Sequence, residues 1–143
     1  MAGWCDTYRG MVYPWQCDHQ GHLTTMHYLG MFDQAGWHLL NRHGLGPEAL
    51  ADAGRGYVDA KDTIEYVAEL RVGALVEVQS AFSRIGTSSI GLVHRMRNAA
   101  TLPSGPCRAC VRCSRVPQRV AARGRGVKDP SRPPGTVPSA ARR

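Results

Sequence analysis

The sequence predicts an α+β domain in which an antiparallel sheet wraps one long helix. Three observations carry this. One segment, residues 24–43, has a helical period of apolar residues with its own start and stop signals. A single loosely alternating stretch precedes it, and three alternating stretches joined by tight turns follow it. The alternation ends near Ala100, where the composition changes abruptly.

Residues 1–6 are a short lead-in. Residues 8–13 alternate loosely and form a first strand, stopped by Pro14. The helix starts at Thr24 or Thr25, either of which serves as N-cap. Tyr28, Leu29, Phe32, Ala35, Gly36, Leu39 and Leu40 repeat at a helical spacing, and Gly44 is a natural residue just past the end. Gly30 and Gly36 inside it cost roughly 1 kcal/mol each against alanine. With Met31 and Trp37 spread around the axis, they imply a helix buried on most sides, where another backbone comes close. A loop follows, with a short helical turn at residues 47–53 opened by Pro47.

Residues 57–70 read as a second strand, with Ile64, Tyr66, Ala68 and Leu70 on one face. Residues 75–84 are a third, with Val76, Val78, Ser80 and Phe82 on one face. Residues 88–98 are a fourth, with Ile90, Leu92, His94 and Met96 aligned. Strands this close in sequence pair antiparallel. One strand, one helix and a meander make an α+β pattern.

The chemistry concentrates in the turn before the helix. Asp18, His19, Gly21 and His22 stand between Tyr13-Pro14-Trp15-Gln16-Cys17 and the threonine pair Thr24-Thr25. A carboxylate there precedes a helix N-terminus, whose unsatisfied N–H groups carry about half a positive charge. Donors fixed in that way can hold a developing oxyanion, and a carboxylate facing them is a candidate base or nucleophile. An ordinary turn aspartate bonding to nearby backbone has the same residue type. Cys17 has no histidine at a diagnostic spacing, and no Gly-x-Ser-x-Gly elbow occurs.

Asp18, Gly21, His22, Leu23, Thr24, Thr25 and Tyr28 match a pattern of aspartate, two residues, glycine, histidine, aliphatic residue, two small polar residues and a tyrosine further on. With this run the chain resembles the 4-hydroxybenzoyl-CoA thioesterase-like group of hotdog-fold acyl-CoA thioesterases. The likeness is most specific over residues 8–42 and extends to about residue 98. Many members carry asparagines where this chain has Thr24 and Thr25; threonine caps nearly as well. The resemblance implies hydrolysis of an acyl-CoA thioester to the free acid and CoA. It implies Asp18 as nucleophile or general base, and backbone N–H groups near Thr25, with Thr24, at the carbonyl oxygen. His22, Trp15 and Tyr28 are candidates for substrate contact. No cofactor is implied, since CoA arrives as part of the substrate, and the resemblance implies a homodimer or homotetramer with sites at subunit interfaces.

The 143 residues suffice for one sizeable core. The start has no basic and apolar leader pattern, and no apolar run approaches the ~20 residues of a membrane span. The expectation is a soluble, cytoplasmic protein without membrane contact. The net charge of +7 divides unevenly: residues 1–100 carry a net of −2 and residues 101–143 a net of +9. All six histidines and every aromatic residue lie in the first part, and seven of nine prolines in the second. Residues 1–100 are therefore read as an incomplete hotdog domain, and 101–143 as a basic, disordered tail, with an out-of-frame reading of GC-rich coding sequence as its explanation. Cys107, Cys110 and Cys113 lack a fourth ligand for a closed metal site. Without aromatic residues the tail has nothing to stack on bases, so no specific nucleic acid is expected.

A hotdog sheet needs an interior strand after residue 98. Three outcomes follow: residues near 111–122 substitute for it, the second strand pairs directly with the fourth, or the fold stays incomplete. Pro103, Pro106, Pro117 and the arginines argue against a good substitute. The rival functions are a hotdog hydratase or dehydratase of acyl thioesters, and a damaged hotdog protein without turnover.

Overall fold

The computed structural model describes residues 3–100 and 111–122. Strand β1 (Cys5–Met11) leads through a 3-10 turn (Pro14–Gln16) into helix α1 (Thr25–Arg42), then α2 (Pro47–Asp52). Five strands follow: β2 (Arg55–Val58), β3 (Lys61–Tyr66), β4 (Leu75–Ile85), β5 (Ser89–Asn98) and β6 (Val111–Ala122). They form one six-stranded antiparallel sheet in the order β1-β4-β5-β6-β2, with β3 also paired to β6. Helix α1 packs against β1, β4 and β5 on its concave face.

The first of the three outcomes is the one realised. Residues 111–122 form the interior strand, although the arginines and Pro117 argue against it. The backbone explains the tolerance. On the β5 side the register jumps from Ile90↔Gln118 to Leu92↔Arg115, so β6 carries one residue more than its partner there. On the other side β3 pairs up to Val116 and β2 resumes at Arg119. Pro117 thus falls at a bulge and opposite the break between β2 and β3, where a missing N–H breaks no ladder bond. The sheet does not end at residue 100, and Val111, fully buried, belongs to the main core. The rest of the stretch from residue 101 to 143, with Pro103, Pro106, Cys107 and Cys110, lies outside the described residues.

The helix-facing residues of β4 and β5 are the ones the alternation selects. Val76, Val78, Ser80, Ile90, Leu92, His94 and Met96 are all buried. The apolar ones among them meet Tyr28, Met31, Phe32, Ala35, Leu39 and Leu40 of α1 in two apolar clusters. Bulges at Thr7 in β1 and Ser83 in β4 curve the sheet around the helix. Thr7, turned inward, donates or accepts at Ser80 Oγ (2.7 Å), and Ser80 Oγ in turn meets His94 Nδ1 (2.6 Å). A buried polar chain of this kind is tolerated because its members satisfy one another.

Two expectations are corrected. The helix is covered on one broad face, not most sides: Met26 and Leu29 are 71% and 40% exposed. Gly36 is buried, but Gly30 is exposed and an added Cβ there meets nothing within 4 Å. Periodicity fixes which residues share a face, not how many faces are covered. The second strand is also split, and the chain leaves the sheet after Tyr66. Residues 67–70 bind the loop before α1 instead, as described below.

An open helical glycine costs conformational entropy without a compensating contact. Gly30→Ala is therefore expected to stabilise the protein by up to about 1 kcal/mol. Chemical denaturation of the two proteins checks this, and a destabilisation would mean that another surface covers Gly30 in solution.

Candidate active site at the helix N-terminus

The turn carrying Asp18 is built by its own backbone. Asp18 Oδ1 accepts from the amides of Gln20 (2.9 Å) and His22 (3.0 Å). The Asp18 amide donates to His22 O (2.9 Å), and the Gly21 amide to Asp18 O (3.0 Å). Gly21 has φ +76°, a left-handed conformation that a residue with a Cβ adopts only with strain. The turn aspartate and the chemical carboxylate are thus one residue. Asp18 is exposed, and among the described residues its Oδ2 has no partner in the turn. The His22 amide is the main cause that lowers its pKa below the ordinary 3.8; desolvation opposes it and the Gln20 amide assists. The carboxylate is therefore ionised at neutral pH. Its contribution to stability is present above pH 3.8 and is lost as the pH falls through the depressed folded value.

The turn is bolted on both sides. Gln16, buried, accepts the Tyr13 amide on Oε1 (2.9 Å), while its carbonyl accepts the amide (3.1 Å) and hydroxyl (3.3 Å) of Thr24. Thr24 is the N-cap residue, but its hydroxyl is spent on Gln16 and does not cap the helix. Its carbonyl takes the amides of His27 (3.0 Å) and Tyr28 (3.3 Å). The amides of Thr25 and Met26 stand in the first turn, where no preceding helical carbonyl can receive them.

The opposite wall comes from the segment after β3. Leu23 N–H donates to Leu70 O (2.8 Å), and His22 forms a β-bridge with Arg71. Leu70 N–H donates to Tyr28 Oη (3.1 Å), and the Tyr28 ring meets Tyr66 edge-on at 5.2 Å. His22 Nε2 lies 3.2 Å from Glu69 Oε2, which is 3.7 Å from Arg71. Between these walls opens a cleft of about 400 Å³ lined by His22, Leu23, Thr25, Tyr28 and residues 66–69. Of the sequence candidates, His22, Thr25 and Tyr28 line it. Asp18 is not among the lining residues and is connected to the cleft through the His22 amide; Thr24 braces the turn, and Tyr28 also serves as a hydrogen-bond acceptor in the frame.

Trp15 does not line the cleft. It is 71% exposed, stacked on Tyr13 at 6.2 Å and edge-on to His27 at 5.4 Å. Leu23 and residues 66–69, Glu69 among them, are lining residues that sequence reasoning missed. Residues 66–69 were read as alternating strand positions, and nothing local signals that residue 69 returns to meet residue 22. Among the described residues no group of three potential metal ligands occurs, and no helix is long and apolar enough to cross a membrane.

Tyr28→Phe removes the acceptor from a fully buried Leu70 amide while leaving the ring. It should cost about 1–3 kcal/mol, the penalty of an unsatisfied buried donor. Thermal denaturation measures this, and an unchanged Tm would show that the amide finds another partner.

A family model described as thioesterase-like superfamily matches residues 12–131, past the composition change near residue 100. No curated protein matches the chain at a significant level. Among solved structures it is similar to a gentisyl-coenzyme A thioesterase, at 20% identity and a TM-score of 0.65 over 79% of this chain and 85% of that one. A Staphylococcus aureus protein in complex with CoA aligns at 13% identity and a TM-score of 0.72, over 86% and 72% of the two chains. A DHNA-CoA thioesterase of the same organism gives 10% identity and 0.71, over 84% and 75%. These likenesses establish the hotdog fold.

Proposed function

The chain belongs to the thioesterase-like superfamily, and on that premise we propose that it hydrolyses an acyl-CoA thioester to the free acid and CoA. The observation that carries the reading is the cleft of about 400 Å³ at the start of α1, lined by His22, Thr25 and Tyr28, next to the turn in which the His22 amide holds the ionised Asp18 carboxylate. The thioester carbonyl would sit with its oxygen toward the first-turn amides of Thr25 and Met26. These donors are fixed by the helix and need no reorganisation as negative charge develops on that oxygen. Asp18, whose Oδ1 is held by two amides, would present Oδ2 as nucleophile or base. Leu23, Tyr28 and Tyr66 would contribute apolar surface to the acyl group or its linker. The CoA bound in the Staphylococcus aureus relative supports a nucleotide-bearing thioester as substrate class. No cofactor takes part in this reading.

The reading also includes self-association as a homodimer or homotetramer. Trp15, Met26, Val58 and Val67 are each more than half exposed in the single chain. Large apolar side chains left open in one chain are available for burial against a second copy. Cytoplasmic location is part of the same proposal, as the place where acyl-CoA substrates are met.

A panel of acyl-CoA substrates, followed by thiol release, tests the activity. Release of free CoA with formation of the acid supports hydrolysis; hydration of an enoyl thioester without thiol release would favour the hydratase alternative. Asp18→Asn keeps a carbonyl oxygen to accept the Gln20 and His22 amides, so the turn and Tm are expected to be preserved. Its kcat should fall by at least ~10²-fold, the lower range for a positioned acid–base or nucleophilic group. A variant that keeps most of its activity would remove Asp18 from the mechanism.

A further inference from the structure

We propose that Glu69 and His22 form a carboxylate–imidazole pair in which Glu69 positions His22 to act as the base that activates the hydrolytic water. This rests on the thioester-hydrolysis reading above. The pair lies on the wall of the cleft that also contains Thr25. Glu69 Oε2 stands 3.2 Å from His22 Nε2. A carboxylate only accepts, so in the neutral ring the proton sits on Nε2 and Nδ1 keeps the lone pair. That tautomer is a proton acceptor.

The alternative is a surface pair without consequence. Glu69 is 63% exposed, and such pairs contribute little to stability. Two features separate this one from a chance contact. The backbones of both partners are fixed: His22 bridges Arg71, Leu23 N–H bonds Leu70 O, and the His22 amide bonds Asp18. The side chains therefore meet from anchored positions, with the His22 side chain only 22% exposed. The same residue that ties down the Asp18 carboxylate through its amide also presents an imidazole to the cleft.

The arrangement divides the labour between two groups. Asp18 Oδ2 attacks the thioester carbonyl carbon; the carbon–sulfur bond breaks and its electron pair leaves on the CoA sulfur. This gives an acyl–aspartyl anhydride and a thiolate. Water then attacks the acyl carbonyl as one of its protons passes to His22 Nδ1. The carbon–oxygen bond to Asp18 breaks, which regenerates its carboxylate and releases the acid. The imidazolium returns its proton to the thiolate or to solvent. The negative charge of Glu69 stabilises the imidazolium during that step.

The step assigned to His22 follows release of CoA, and this makes the proposal readable in rapid kinetics. His22→Ala should release about one CoA per chain in a burst and then stall, and added imidazole should restore steady-state turnover. Glu69→Gln should keep the burst of CoA and lower the steady-state kcat by about 10-fold or more. A His22→Ala enzyme in which burst and steady state are lost together without imidazole rescue overturns the base assignment. A Glu69→Gln enzyme identical to the wild type overturns the pairing while leaving the hydrolase reading intact. One measurement needs no substrate. Nitrogen-15 NMR of the imidazole should find the neutral His22 ring protonated on Nε2, and a ring protonated on Nδ1 overturns the proposal even if no acyl-CoA is turned over.

Discussion

The backbone of β6 is the constraint on which the rest depends. Its two edges are both occupied, by β5 on one side and by β2 and β3 on the other. Without it, rows of N–H and C=O groups on three strands would lose their partners. Unsatisfied buried groups cost about 1–3 kcal/mol each, and several rival the whole stability of a domain. Backbone pairing is nearly indifferent to side-chain type. An arginine-rich stretch can therefore serve as an interior strand provided that its proline falls where no ladder bond is required. Pro117, at the bulge opposite the gap between β2 and β3, meets that condition.

The site inherits its geometry from that sheet. β3 is held in place by β6, and its last residue, Tyr66, with the three residues that follow forms one wall of the cleft. The other wall is the start of α1. Leu70 joins the two: its carbonyl receives the Leu23 amide and its amide is received by Tyr28. The carboxylate of Asp18 is tied to the same frame through the His22 amide. Position and acidity thus come from the same bonds, since the amide that orients the carboxylate also lowers its pKa.

Much of this was legible in the sequence, for physical reasons that differ from element to element. The end of α1 follows from Gly44, in the left-handed conformation that glycine favours; its start falls at Thr24 as read, although the Thr24 hydroxyl bonds Gln16 instead of capping the helix. β4 and β5 follow from alternation of apolar residues, which burial obeys at residues 76–80 and 92–96 and departs from beside the bulge at Ser83, where Ala81 and Gly91 are buried as well. The Asp18 turn follows from a polar run fixed by Gly21. What could not be read depends on partners far away in the chain. Glu69 faces His22 across a pairing that no local pattern encodes. Gly30 lies on a helix face whose exposure is decided by where the sheet stops. β6 was obscured because interior strands are ordinarily apolar, and here the obligation of neighbouring backbones prevails over composition.

The same strand dictates an order of assembly. β4 and β5 are neighbours in sequence and can pair as soon as both are synthesised. β3 has no partner until residue 111 and those after it arrive, since Tyr66 pairs with Val111 and Lys61 with Val116. Such long-range pairing is slow, because loop closure must be met before contacts reward it. During synthesis the segment 55–66 is therefore an unpaired edge for as long as it takes to make the following ~50 residues, at about 5–20 residues per second. The charged residues Lys61, Asp62 and Glu65 on β3 keep that waiting edge soluble. The half of the chain that holds the candidate chemistry thus stays unfinished until nearly the last described residue is in place.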